Sequence, residues 1–233
     1  MRLRLLSFNI HIWVKDRDPR EKKWWIPRTL KIRSLLRRKM KVDDEDEMKT
    51  PDIICIQERV WPVGKILLGL WGYKAFGGWR SRTPIYVKRD LVKKYNVRLL
   101  HQFHTTEKEN GHGINVIAFA NFNIQNSHYS FERELLEEEI RQGFLPNTIF
   151  CGDFNKDKYY FTTIYKSVRD DELLFFDKTP EGAPTYRSYE NPNNMADIDY
   201  VGTNFKFDTI KAKCRILPDY LSDHYPILAE IEL

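Results

Sequence analysis

Nine short runs rich in β-branched and aromatic residues recur from one end of the chain to the other, and they restrict its fold more than any other feature. They are LRLLSF (3–8), DIICIQ (52–57), PIYVK (84–88), INVIAF (114–119), NIQNSH (123–128), TIFCG (148–152), DIDYV (197–201), IKAKCRI (210–216) and ILAEIEL (227–233). Each has the length of a strand and is too short for a typical helix. Several are continuously apolar rather than alternating, which is the pattern of sheets covered on both faces. Two segments carry the helical period instead. In 27–40 Ile32, Leu35, Leu36 and Met40 form an apolar stripe, and in 131–142 Phe131, Leu135, Leu136 and Ile140 do the same. Ser130 can cap the second helix, Glu132 and Glu134 suit its positive end, and Gly143 can stop it. The mixture predicts an α/β chain with two sheets packed together and helices outside.

Length and composition narrow the class. With 233 residues and 42% hydrophobic content, a single domain over 1–233 with a sizeable core is expected. No apolar run reaches the roughly 18 residues of a membrane span. The start, MRLRLLSFNI, has an apolar stretch too short for a signal peptide, broken by Asn9 and without a small-residue cleavage site. An intracellular, cytoplasmic protein without stable membrane association is therefore expected, with a monomer favoured and the oligomeric state left open. Cys55, Cys151 and Cys214 are far apart, lack a CxxC spacing and sit in strand-like runs, so they read as reduced packing residues.

The net charge of +5 is unevenly spread, with fourteen Lys and Arg against three Asp and Glu in residues 1–41. That excess suits a polyanion such as nucleic acid, because neutralised phosphates release counterions. It equally suits the solvated side of an amphipathic helix over 27–40.

Polar residues stand where the apolar runs stop. Asn9 follows LLSF, Glu58 follows IICIQ, His128 follows IQNS, and Asp153 with Asn155 follows IFCG. Asp199 lies in DIDYV, while Asp223 and His224 lie in SDH before the last strand. Taken singly, each is an ordinary turn or capping residue. Taken in order, SFN, DIICIQE, QNSH, GDFN, DIDY and SDHYP resemble the endonuclease/exonuclease/phosphatase superfamily, the deoxyribonuclease I-like fold, over nearly the whole chain. Trp25 and Arg28 look like that family's W-x-x-R. IQNSHYS corresponds to its NTHL segment, which keeps His128 and places Arg133 in register.

The resemblance implies a four-layered sandwich of two mainly antiparallel β-sheets flanked by helices, with the site at one end. It also implies Mg2+ or Mn2+, since hydrolysis of a phosphodiester builds negative charge that a hard divalent ion can offset. By analogy Glu58 is the principal metal ligand, Asn9 assists, and Asp223 contributes or binds a second ion. Asp153 would orient or deprotonate the attacking water, with Asn155 fixing its position. Asp199 would hold the His224 imidazole in its charged form, and His128 would face the phosphate as a donor and general acid. The division between base and acid stays open.

Substrate class is read by elimination. The CDR signature of inositol polyphosphate phosphatases is replaced by DIDYV, and QERV stands where the exonuclease III type has QETK. Neither the export signals of secreted deoxyribonucleases nor the apolar hairpin of membrane-acting sphingomyelinases is found. An endo- or exonuclease acting on DNA is expected, with a small-phosphate or lipid-linked phosphatase and a non-catalytic polyanion binder as alternatives. Arg80, Arg82, Lys156 and Tyr186 are the candidate substrate contacts, beside Lys158, Tyr159 and Tyr160.

Overall fold

A computed structural model of the protein describes residues 1–11, 19–42, 47–59, 72–77, 81–104, 113–119, 122–128, 137, 140–141, 145–169, 173–205 and 210–233. In chain order the strands are β1 (Arg2–Asn9), β2 (Ile53–Gln57), β3 (Tyr73–Phe76), β4 (Ile85–Lys88), β5 (Arg98–His104), β6 (Gly113–Ala118), β7 (Asn123–His128) and β8 (Thr148–Asp153). There follow β9 (Leu174–Phe175), β10 (Lys178–Thr179), β11 (Tyr186–Arg187), β12 (Met195–Ala196), β13 (Asp199–Thr203), β14 (Lys211–Ile216) and β15 (Ile227–Glu232). The described helices are α1 (Pro19–Arg37), α2 (Arg89–Tyr95) and α3 (Lys158–Val168).

A strand sends successive side chains to opposite faces, and β1 is apolar on both. Leu3 and Leu5 point one way, Leu6 and Phe8 the other, and all are buried. Its parallel neighbour β2 repeats the pattern with Ile53 and Cys55 against Ile54 and Ile56. These strands lie inside a seven-stranded sheet of order β10-β14-β15-β1-β2-β4-β3. The second sheet has six strands in the order β5-β6-β7-β8-β13-β9. Both are mainly antiparallel, with β1 beside β2, β7 beside β8 and β10 beside β14 as parallel pairs.

Between the sheets Leu3, Leu5, Ile53 and Cys55 meet Ile117, Ile124, Ile149, Cys151 and Val201. Outside the first sheet Leu6, Phe8, Ile54 and Ile56 pack on Ile32, Leu35 and Leu36 of α1. Outside the second, Phe150, Phe154 and Tyr200 pack on Phe161, Ile164 and Tyr165 of α3. The result is the four-layered sandwich, and each fully buried aliphatic side chain contributes roughly 1.5–3 kcal/mol to it. One close approach depends on glycine. A Cβ at Gly202 would lie 2.3 Å from Phe150 Cζ and 2.4 Å from the Leu174 carbonyl oxygen.

The nine expected strands are the interior strands of the two sheets. The strands that were not anticipated in those sheets, β3, β5, β9 and β10, are all edges. An edge strand has one neighbour and fuller access to water, so polar residues interrupt its apolar run. The first helix differs from expectation at both ends. It begins at Pro19 and contains Pro27, and it stops at Arg37. Met40 instead exchanges backbone hydrogen bonds with Lys49, at 2.9 and 3.1 Å. Proline is tolerated at a first helical position because its missing N–H has no intrahelical role there. The helix expected over 131–142 falls mostly outside the described residues, although 137, 140 and 141 are helical and Ile140 is buried. Arg133 and the Trp25 side chain also lie outside them.

Charge in the N-terminal region is divided. Lys31 and Arg37 occupy the exposed side of α1, as the amphipathic pattern requires, and exposed Arg38 follows it. Arg4 is buried, pairing with Glu230 at 2.7 Å and donating to the carbonyls of Met40 and Glu47 at 2.9 and 2.6 Å. The three cysteines are buried and unbridged. No described helix is long and apolar enough to cross a membrane.

Candidate active site

Strand direction brings the polar residues to one place. Because β1 and β2 run parallel, and β7 and β8 likewise, their C-terminal ends lie together in each sheet. The antiparallel partners β13 and β15 begin where β8 and β1 finish. Asn9, Glu58, His128 and Asp153 therefore sit at strand ends, Asp199 pairs in register with Asp153, and Asp223 with His224 leads into β15. Along each inward face the character changes in the same direction. β1 reads Leu3, Leu5, Ser7, Asn9; β2 reads Ile53, Cys55, Gln57; β7 reads Ile124, Asn126, His128; β8 reads Ile149, Cys151, Asp153. Gly152, at φ 142, allows a backbone value that other residues rarely adopt immediately before Asp153.

Asp153 is where the contacts meet. Asn9 Nδ2 donates to its Oδ2 at 3.0 Å and to Glu58 Oε1 at 3.1 Å. His128 Nε2 lies 3.2 Å from Glu58 Oε1 and 3.4 Å from Asp153 Oδ2. His224 Nε2 lies 3.7 Å from the same Asp153 oxygen, while its Nδ1 is 2.8 Å from Asp199 Oδ2. The Asn155 backbone N–H donates to Asp153 Oδ1 at 2.8 Å, and its side-chain Nδ2 is 3.4 Å from His128 Nε2. Thr185 Oγ1 accepts from the backbone N–H groups of Ile198 and Asp199 at 3.1 and 3.0 Å, which fixes the start of β13. Asp223 Oδ2 is 2.6 Å from His11 Nδ1, and Ser222 Oγ donates to its other oxygen at 3.1 Å.

Two of these residues have left-handed backbones, Glu58 at φ 54 and Asn155 at φ 53. Asn tolerates that region, but for Glu it costs roughly 1–2 kcal/mol. The strain is held by Arg59, whose N–H donates to the Arg82 carbonyl at 3.0 Å and whose Nε donates to that of Ser81 at 3.0 Å.

Acids and imidazoles alternate through the cluster and set each other's charge. Burial acts to lower the His224 pKa, but the Asp199 and Asp153 carboxylates outweigh it and raise it to about 10. Burial likewise opposes protonation of His128, yet hydrogen bonds to Asp153 and Glu58 carry it well above the usual imidazole range. Burial would raise Glu58, but His128, His11 and the Asn9 amide hold it well below the usual carboxylate range. Asp153 is lowered too, against burial, by the charge of His224 and the hydrogen bond from His128. Burial prevails only at Asp199, which is raised to about 6 despite His224.

A family comparison places the chain that carries this cluster. The model of the Endonuclease/Exonuclease/phosphatase family matches residues 8–224, a span that runs from Phe8 to His224. The chain belongs to the endonuclease/exonuclease/phosphatase family. Solved structures that share its fold include D. rerio TDP2 complexed with single strand DNA product, at 15% identity and TM-score 0.67, covering 100% of this chain and 99% of that one. An endonuclease/exonuclease/phosphatase from Bacteroides vulgatus aligns at 16% identity and TM-score 0.66, with 100% and 99% covered. The inositol polyphosphate 5-phosphatase domain of SPsynaptojanin, in complex with inositol (1,4)-bisphosphate and calcium ion, aligns at 14% and 0.54, with 100% and 86% covered. At such identities the likeness shows the deoxyribonuclease I-like fold. No curated protein matches the sequence.

Within the family fold, the residues named from sequence as catalytic or metal-binding are brought together. Tyr186 joins them from β11, its ring centroid 5.1 Å from that of His224. Arg82 is exposed on the segment beside Glu58, and Lys156 follows Asn155 with its Nζ 5.3 Å from the Tyr160 ring. Arg80 lies outside the described residues. Sequence reasoning missed His11, whose signal was a histidine two positions after Asn9 in an otherwise apolar stretch. It also missed Arg28 as a site residue, although buried Arg28 clamps the loop after β1. The donor chemistry suits a divalent cation. Glu58, His128 and Asp153 each present one ligand atom within 4.8 Å of the others, as do Asp153, Asp199 and His224. A buried group of carboxylates needs positive charge near it, and here imidazolium supplies it where an ion would.

Proposed function

We propose that the protein is a divalent-metal-dependent phosphodiester hydrolase that acts on nucleic acid, DNA first. The observation that carries this reading is Asp153, buried and within 3.7 Å of an amide and two imidazoles from four separate strand ends. Glu58 would hold the ion, assisted by Asn9, whose Nδ2 donates to Glu58 Oε1 and orients that carboxylate. When bound, it neutralises phosphoryl charge and polarises the bond to be broken.

The remaining roles follow from the charge states. A carboxylate whose pKa is held down is a weak proton acceptor, so Asp153 orients the attacking water more than it deprotonates it. Asn155, whose backbone N–H binds Asp153, fixes the same water from the other side. His224 keeps its proton at neutral pH because Asp199 sits on Nδ1, and this leaves Nε2 as a charged donor to a phosphoryl oxygen. His128 faces it and holds the proton for the leaving oxygen.

Aromatic rings beside the centre favour nucleic acid over a small phosphate. Tyr186 flanks His224, and exposed Tyr220 lies 5.7 Å from Tyr189 and 5.5 Å from Tyr225. Rings next to a phosphate site stack on bases at roughly 1–3 kcal/mol per base. TDP2 of similar fold was solved with a single strand DNA product. The test is a panel of supercoiled plasmid, abasic duplex, single strands, RNA and phosphoinositides, each with Mg2+ or Mn2+. Cleavage of DNA that chelation abolishes and salt suppresses steeply is expected. Phosphate release from phosphoinositides with weak salt dependence and no cleavage of nucleic acid would replace this reading with a phosphatase. Polyanion binding without turnover of any ester would remove the enzyme altogether.

A further inference from the structure

The chain leaves β1 through Asn9, Ile10 and His11, and it holds His11 unusually firmly. The His11 backbone N–H donates to Asn9 Oδ1 at 3.0 Å. Arg28, buried beneath this loop, donates from Nη2 to the carbonyl oxygens of Ile10 and His11 at 2.7 and 2.6 Å. His11 adopts φ 29, a value that residues with side chains avoid, so these bonds hold strained backbone. What the strain secures is the direction of the imidazole. Nδ1 is engaged by Asp223 at 2.6 Å, and Nε2 is turned toward Glu58 Oε2 at 3.8 Å.

That second distance is too long for a hydrogen bond. Two ligand atoms bound at about 2.1 Å to one ion lie roughly 3.0 Å apart at right angles and about 4.2 Å apart in line. The observed 3.8 Å falls inside that interval. We propose that His11 Nε2 and Glu58 Oε2 are ligands of the same divalent ion, and that Asp223 is not a ligand but the carboxylate that orients His11. A carboxylate on one imidazole nitrogen fixes the tautomer and leaves the other nitrogen free to bind metal. The inference rests on Glu58 being a metal ligand, as proposed above, and it changes the ligand set from oxygen alone to mixed nitrogen and oxygen. A nitrogen ligand favours a transition ion such as Mn2+ over Mg2+, which takes oxygen ligands and water.

Pulsed EPR on the whole protein loaded with Mn2+ alone tests this directly, because a coordinated imidazole leaves 14N modulation on the manganese signal. Wild type is expected to show the modulation and to bind Mn2+ more tightly than Mg2+ in competition. His11→Ala removes the modulation and weakens Mn2+ binding by about tenfold or more, whereas His128→Ala and His224→Ala retain it. His11→Asp binds the ion without nitrogen modulation and shifts preference toward Mg2+. Asp223→Asn keeps the modulation and weakens binding by about tenfold. Circular dichroism of each variant checks that it is folded. Mn2+ bound through Glu58 without 14N modulation, or modulation that survives His11→Ala, overturns the inference and leaves the proposed hydrolase standing. Failure of wild type to bind Mn2+ at all overturns both.

Discussion

The two ends of the space between the sheets are built by the same strand faces and are chemically opposite. At one end Leu3, Leu5, Ile53, Ile124 and Ile149 form an apolar core. At the other end, two or four residues further along, Ser7, Asn9, Gln57, Asn126, His128 and Asp153 replace them. The outer faces of β1, β2 and β8 make no such change, since Leu6, Phe8, Ile54 and Ile56 stay apolar, as do Phe150 and Phe154, whereas β7 carries Asn123 and buried Gln125 on its outer face. In β1, β2 and β8 polarity at the strand end is therefore confined to the one face that opens on the cleft. It carries a cost in stability. Gln57 Oε1 is buried with no hydrogen-bond partner among the described residues, and such a group costs roughly 1–3 kcal/mol. Amides offset part of this by tying the sheets together. Gln57 Nε2 donates to Asn126 Oδ1 at 2.5 Å, and Asn126 Nδ2 donates to the carbonyls of Ile56, Thr83 and Pro84 at 3.0, 3.1 and 3.2 Å.

The contrast is sharpest in activity against stability. Asp153→Asn is expected to lower phosphodiester hydrolysis by about 10²- to 10⁴-fold while the fold, followed by circular dichroism, persists. On the same face of the same strand, Ile149→Val is expected to cost about 1 kcal/mol in urea unfolding and leave kcat unchanged. Comparable loss of activity in both variants would dissolve the distinction between the ends. On β7, Ile124→Ala is expected to destabilise by about 2–5 kcal/mol through the cavity it leaves. Asn126→Ala is expected to cost about 1–3 kcal/mol through the carbonyls that lose its amide, and it alone should lower kcat, because it loosens the seam beneath His128.

Titration separates the ends more gently. The His224 pKa is raised in the folded protein to about 10, above an unfolded value of roughly 6.5. Its stabilising effect is then complete below about pH 6.5 and is lost as pH rises toward 10. Asp199, raised to about 6, titrates below that window. In the presence of a chelator, thermal stability is expected to fall by several degrees from pH 7 to pH 10, and His224→Gln is expected to flatten the slope. A wild-type profile that rises over this range would mean the imidazolium is not favoured. The smallest effects belong to the rim. Arg82→Ala and Lys156→Ala are each expected to raise KM for DNA at low salt and to reduce the salt slope by about 1, with kcat unchanged.

The sequence was most legible where burial is complete. Interior strands such as β1, β2 and β8 show as unbroken apolar runs, whereas edge strands β3 and β5 mix in Lys74, His101 and Gln102 and lose the signal. α3 was hidden because KYYFTTIYKSV is rich in strand-favouring Tyr, Thr, Ile and Val. The helix is set instead by Asp157, which accepts from the Tyr160 N–H at 2.9 Å, and by burial of Phe161, Ile164 and Tyr165. Site residues at strand ends were legible because each broke an apolar run. Their convergence was legible only through the family resemblance, since it depends on β1 with β2 and β7 with β8 running parallel, and alternation along one strand says nothing about its neighbour's direction. His11 was obscured for a different reason. Its placement follows from the Arg28 clamp and a positive φ, both of which arise only when α1 packs against the loop.

Anomalous diffraction from crystals soaked in Mn2+ addresses the meeting of these strand ends most directly. The expected result is one strong manganese peak within about 2.5 Å of a Glu58 carboxylate oxygen, bordered by Asn9 and His11 and facing Asp153. Manganese bound only elsewhere on the molecule, with the Glu58 carboxylate still paired to His128, would contradict it.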